Sequence, residues 1–198
     1  MTEAQAPPKR DLMHSDEIKR LVRDAYAGID TSTAAVALSL YDAHELAGVP
    51  QAAVDRALGV GNHLRHARIE RGETILDVGC GGGIDTILAA RRTGPGGRVV
   101  GLDFLPEMLE RTGRAAAEAS LENVEVLEGE MEEIPLADAS VDHVISNGVI
   151  NLSPRKARAL AECARVLRPG GRLTVSDVTM VEAELPPEVL THPAAWAG

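Results

Sequence analysis

Two acidic strand ends and the glycines beside one of them are the residues whose types and spacing could do chemistry. Thr74-Ile-Leu-Asp-Val-Gly-Cys-Gly-Gly-Gly-Ile-Asp-Thr86 reads as an apolar strand that ends in an acid, Asp77, breaks into a glycine loop and enters a helix from about Ile84 to Arg92. Gly79, Gly81 and Gly83 alternate around Cys80, so the backbone can turn tightly and a ligand can lie on it without meeting a Cβ. The helix then aims its free N–H groups at that ligand. A dinucleotide fingerprint needs glycine where this chain has Ile84 and has no need of Asp77, which argues against a nicotinamide cofactor. Arg98-Val-Val-Gly-Leu-Asp103 is a second apolar strand ending in an acid, about 20 residues past the loop, where a nucleoside-binding α/β unit places its ribose carboxylate. Asp103 is the expected ribose ligand, with Phe104 beside it. It can also cap the helix that begins near Pro106.

The remaining elements must hold these strand ends together. Gly94-Pro-Gly-Gly97 stops the first helix. From Pro106 to Ala119 the positions Met108, Leu109, Thr112, Ala115, Ala116 and Ala119 recur at helical spacing, and Val124 to Leu127 is a third strand. The acidic loop Glu128 to Pro135 follows at a carboxyl strand end, where it reads either as a solvated acidic turn or, taken with the upstream motifs, as placing Glu130 and Met131 beside the base of a nucleoside. Val141 to Asn147 is strand four. Ser153 and Pro154 are expected to cap and start a helix with the apolar stripe Ala157, Leu160, Ala164 and Leu167, bordered by Cys163. Arg168-Pro-Gly-Gly171 ends it and Leu173 to Val178 is strand five. Strand and helix alternating in this way imply a Rossmann-like parallel sheet with right-handed crossovers and helices on both faces.

Upstream, residues 1–14 read as a disordered tail and 15–69 as a helical lid, before a ligand-binding domain over 70–198. Ser15 can cap a helix with Ile18, Leu21, Val22 and Ala25 on one face; Tyr26 follows that face, either against the ligand or as a plain core tyrosine. Thr31 to Ile69 is Ala-rich, mixed helix and loop, and contains the turn-like Leu58-Gly-Val-Gly-Asn-His63. His63 and His66 read as surface residues, because no acid or thiol at ligand spacing completes a metal site. A chain of 198 residues is one domain in size, and a formal charge of −10 argues against nucleic acid or an anionic membrane as partner. No apolar run reaches a membrane span and no secretory signal opens the chain, which implies a cytoplasmic protein. Cys80 and Cys163 are not spaced for zinc or a disulfide framework.

The acidic strand end followed by G-x-G-x-G resembles motif I of the class I S-adenosylmethionine (SAM)-dependent methyltransferases. Leu58-Gly-Val-Gly-Asn62, Ile145-Ser-Asn-Gly-Val-Ile-Asn-Leu-Ser153, Leu167-Arg-Pro-Gly-Gly171 and Val175-Ser-Asp177 extend the likeness, so that from about Ile18 to Gly198 the chain resembles the arsenite methyltransferases. The resemblance implies that Asp77, Gly79 and Gly81 hold the methionine end of SAM, Asp103 the ribose, Glu130 and Met131 the adenine and Asn147 the sulfonium region, with Tyr26 on a lid. Cys80, Gly83 and Phe104 complete the expected cofactor set. It also implies methyl transfer to a small-molecule acceptor, for which His63, His143 and Asp177 are the candidate bases.

The departures are specific. Cysteines that the resemblance would place at 60 and 148 are Val60 and Gly148, and a further one would follow Gly198. The helix and two strands that class I methyltransferases add after strand five are also missing, which suggests truncation or a sheet completed by an oligomer or another subunit. Three readings stay open: a methyltransferase for another small acceptor, a SAM-binding accessory or regulatory subunit, and an arsenite methyltransferase using thiols from elsewhere.

Overall fold

Strands β1 (Thr74–Val78), β2 (Arg98–Asp103) and β4 (Val141–Asn147) bury side chains on both faces, as a parallel sheet covered by helices requires. A computed structural model describes residues 15–27 and 33–179. Its sheet adds β3 (Val124–Glu128) and β5 (Leu167–Ser176) in the order β3-β2-β1-β4-β5. Every pairing is parallel, with Asp77 opposite Gly101 of β2 and Ile145 of β4. The order reverses between β1 and β4, and ligands bind at the carboxyl ends flanking such a switch.

Side-chain alternation splits the core in two. On one face Ile75, Val99 and Ile145 pack under α2 (Ala34–Leu40), α4 (Gln51–Val54), α5 (Ile84–Thr93) and Ala115 of α6 (Pro106–Glu118). On the other, Leu76, Val78, Val100 and Val144 pack with Ile134, Cys163 and Val166, the last two on α7 (Lys156–Val166). The N-terminal segment also holds α1 (Ser15–Ala27) and the short α3 (Ala43–Leu46). No helix among the described residues is long and apolar enough to cross a membrane.

Three local expectations are corrected. Strand β5 begins at Leu167 and ends at Ser176 rather than spanning 173–178: Leu167 pairs with Val141, the Arg168-Pro-Gly-Gly171 segment bulges, and Arg172 resumes pairing at His143. Helix α7 starts at Lys156, two residues beyond Pro154: the chain first makes a 3₁₀ turn at Ile150–Leu152, and Ser153 Oγ, which donates to Glu132, accepts the N–H of Arg155, the residue just before the helix. Its buried face is Ala159, Glu162, Cys163 and Val166, while Ala157, Leu160 and Ala164 lie exposed. A carboxylate occupies that inward face because Glu162 pairs with Arg165 at 2.7 Å and accepts the Ile134 N–H at 3.0 Å. The proposed tail over 1–14 and the Ser15 side-chain cap lie outside the described residues.

Candidate active site

At the carboxyl ends of β1, β2 and β4 a cavity of about 1180 Å³, open mouth included, is lined by Asp77, the 79–85 loop, Asp103, Phe104, Glu130, Met131 and Asn147. Tyr26 of α1, Leu58 and Gly59 close another side. All eleven residues expected to bind a cofactor border this space, including Cys80, Gly81 and Gly83.

The loop's shape follows from its glycines. Gly79 has φ of 76°, and a Cβ there would stand 2.6 Å from both γ-carbons of Val149, so neither backbone nor packing admits a side chain. At Gly81 a Cβ would meet nothing nearer than the Gly79 carbonyl at 4.0 Å, which marks the open cradle. The Gly81 N–H donates to Asp103 Oδ2 at 3.1 Å, and the Leu105 N–H donates to Oδ1 at 3.1 Å. Asp103 thus steadies both the glycine loop and the entry to α6 while its carboxylate borders the cavity. Burial raises its pKa, and the backbone donors oppose that rise.

Asp77 is 2% exposed, and its hydrogen-bonding side-chain partner is the Thr86 hydroxyl, which donates to Oδ2 at 2.6 Å. Burial, then the neighbouring Asp85 charge, push its carboxyl up to about 8. Asp85 keeps better company in the first turn of α5: Oδ1 accepts the Tyr41 hydroxyl at 2.6 Å and Oδ2 accepts Asn147 Nδ2 at 2.9 Å. Among the described residues the basic side chains on the cavity wall are Lys19, paired with Glu130 at 2.5 Å, and Arg56. A cavity with this much acid suits a ligand carrying positive charge.

The mouth is crossed by α1. Lys19 ties it to Glu130 beyond β3, and the Arg23 guanidinium lies 5.9 Å from the Phe104 ring centroid beyond β2. Tyr26 reaches the cavity from the same helix, and burial, with Asp177 nearby, holds its phenol protonated.

The three base candidates fall elsewhere. His63 was expected at the surface, but a 3₁₀ turn at His63–Arg65 tucks it under the sheet with 3% exposure, and burial lowers its pKa. His143 is fully buried mid-strand, its Nε2 bonded to Thr174 Oγ1 at 2.8 Å. Asp177 accepts the Asn151 and Val178 N–H groups. None of the three lines the cavity. Cys80 lies under the loop, where burial raises its thiol pKa, and Cys163, pushed to about 11, belongs to the opposite core.

Sequence reading missed three site residues: Tyr41, Asp85 and Glu132. Glu132 borders the cavity, is 5% exposed and accepts the Ser153 hydroxyl at 2.5 Å. Asp85 could have been found from its place in the first turn of the loop's helix; Tyr41 had no local signal.

Comparison with known proteins sets this geometry in context. The methyltransferase domain profile matches residues 69–197. An arsenite methyltransferase of Halobacterium salinarum is 40% identical over 92% of this chain and 52% of its own length. A demethylmenaquinone methyltransferase of Listeria monocytogenes is 41% identical over 59% of this chain and 49% of its own. The crystal structure of an arsenic(III) S-adenosylmethionine methyltransferase from Chlamydomonas reinhardtii superposes with a TM-score of 0.69 at 40% identity, covering 77% of this chain and 53% of that one. The chain spans about half the length of the curated relatives it matches.

Proposed function

Because the chain belongs to the methyltransferase domain family, we propose that it binds SAM and transfers its methyl group to a small-molecule acceptor, as an arsenite methyltransferase-like protein of the cytoplasm. The observation that carries this reading is the pair of carboxylates, Asp77 and Asp103, at the ends of adjacent strands with a glycine cradle between them. The donor set fits the cofactor: Asp103 for the ribose hydroxyls, Glu130 and Met131 beside the adenine, and Asp77 with Gly79 and Gly81 for the cationic methionine end. Within the 15–69 segment the lid role falls to α1, whose Lys19, Val22 and Tyr26 border the cavity, while α2 and α4 pack in the core against the sheet.

SAM, when bound, supplies a methyl on a positively charged sulfur, a good electrophile that needs little acid or base help. The chain's own contribution is position and exclusion of water, through α1 across the mouth and the 58–61 loop beside Asn147. With His63, His143 and Asp177 off the cavity wall, no side-chain base is assigned. Val60 and Gly148 offer no thiolate for trivalent arsenic, which soft ligands hold best. The acceptor in this reading is an organic molecule attacking through O, N or C.

A second reading is a SAM-binding subunit completed by a partner. The uncovered apolar side chains Leu160, Leu173 and Val175, on α7 and edge strand β5, favour it. A screen with methyl-labelled SAM over arsenite and organic acceptors, quinols among them, separates the two. Label in an organic product supports the enzyme; SAM binding with no transfer to any acceptor favours the accessory subunit.

A further inference from the structure

Asn147 terminates β4 at 8% exposure, and its amide is fully used within the protein. Oδ1 accepts the N–H groups of Val60 at 3.0 Å and Gly61 at 3.2 Å; Nδ2 donates to the Gly61 carbonyl at 2.8 Å and to Asp85 Oδ2 at 2.9 Å. The two ends of an amide are nearly the same size, so its partners alone decide which way it points. Flipped, its oxygen would face a carbonyl and a carboxylate while its NH₂ faced two N–H donors. Tyr41 reinforces the choice. Its hydroxyl proton goes to Asp85, its oxygen lies 3.3 Å from Asn147 Nδ2 and shares one of the two N–H groups already directed at Gly61 and Asp85, and burial together with the Asp85 charge keeps the phenol protonated.

The loop held in this way has no slack. A Cβ on Gly59 would lie 2.4 Å from Asn147 Nδ2, and one on Gly61 would lie 2.1 Å from Ser176 Oγ. The backbone therefore sits directly on the ends of β4 and β5, and the side chain it carries between these glycines, Val60, reaches over Gly148. Leu58 and Gly59 meanwhile form part of the cavity wall. Asp85 belongs to the same helical turn that follows the glycine cradle, where the α5 dipole favours its charge.

We propose that Asp85 is a positioning residue: acting through the Asn147 amide and the Tyr41 hydroxyl, it fixes the 58–61 loop, and with it position 60, against the cofactor cavity. The proposal rests on the methyltransferase reading for its purpose, since a misplacement of about 1 Å beside the reacting atoms can lower a rate on the order of a hundredfold. Asp85 acts on the loop; the loop faces the acceptor.

The test is amide hydrogen exchange by NMR on the full chain, for the parent, Asp85→Ala, Asp85→Asn and Tyr41→Phe. In Asp85→Ala the Val60 and Gly61 amides should exchange at least about tenfold faster while Leu76 and Val144 in the core keep their rates, the mark of a local opening. Asp85→Asn, which keeps the shape and an oxygen for Asn147, should restore most of the protection, and Tyr41→Phe should fall between. Unchanged protection at Val60 and Gly61 in all three variants overturns the proposal. So does acceleration shared equally by the core amides, which would mean general loss of stability. Calorimetry of the parent with SAM separates the two levels: absent SAM binding overturns the methyltransferase reading, while the exchange rates still judge the clamp.

Discussion

A Cβ placed on Gly148 would lie 3.2 Å from Cγ1 of Val60, so the two positions where arsenite methyltransferases are expected to carry cysteines touch across the end of β4. Two thiols would meet there. In this chain the pair is a methyl-bearing side chain against bare backbone, with neither a soft ligand nor a charge. The chain should therefore produce little methylarsenic from arsenite, glutathione and labelled SAM. The Val60→Cys/Gly148→Cys variant should produce more, even though Gly148 has φ of 77° and a side chain in that left-handed region costs about 1–2 kcal/mol. Robust methylarsenic production by the parent would contradict this.

Asp77 sets a pH dependence whose sign follows from its burial. Its folded-state carboxyl titrates at about 8, against an unfolded value of about 4. Between those values the folded chain holds a proton that the unfolded chain has released. This contribution is fully present below about pH 4, falls as pH rises through the window and is lost above about 8. Asp77→Asn should then raise the melting temperature at pH 9 and flatten its decline from pH 6. Parallel melting curves for parent and variant over that range would refute the assignment.

Among the described residues strand β5 is the sheet edge, with Leu173 and Val175 exposed along it and Leu160 exposed on α7. An unpaired strand flanked by apolar side chains is a template for pairing with another chain. Light scattering should show concentration-dependent self-association that Val175→Lys reduces. A monomeric parent at high concentration would count against an available edge.

The sequence was most legible where chemistry and backbone shape coincide. Asp77 and Asp103 each close an apolar run, one of them before a glycine loop, so strand, turn and helix could be placed within a residue or two. The α7 face was misread because alanines are poor markers of burial: Ala157, Leu160 and Ala164 make as good a stripe as Ala159, Cys163 and Val166. The Ile134 N–H, 28 positions away, together with Arg158 and Arg165 on the same helix, explains why Glu162 faces inward. Tyr41 was invisible for the same reason, since it meets Asn147 across 106 positions of sequence. His63 carried no sign that a 3₁₀ turn would bury it.

The central claim, that Asp77, the glycine cradle and Asp103 form a SAM site, is tested most directly by calorimetry of SAM with the parent chain and Asp103→Ala. The parent should bind one SAM. Asp103→Ala should lose two charge-assisted hydrogen bonds to ribose, each worth about 1.5–3 kcal/mol, and so bind at least about a hundredfold more weakly. No heat of binding in a folded parent sample, or equal affinity in parent and variant, would contradict the account.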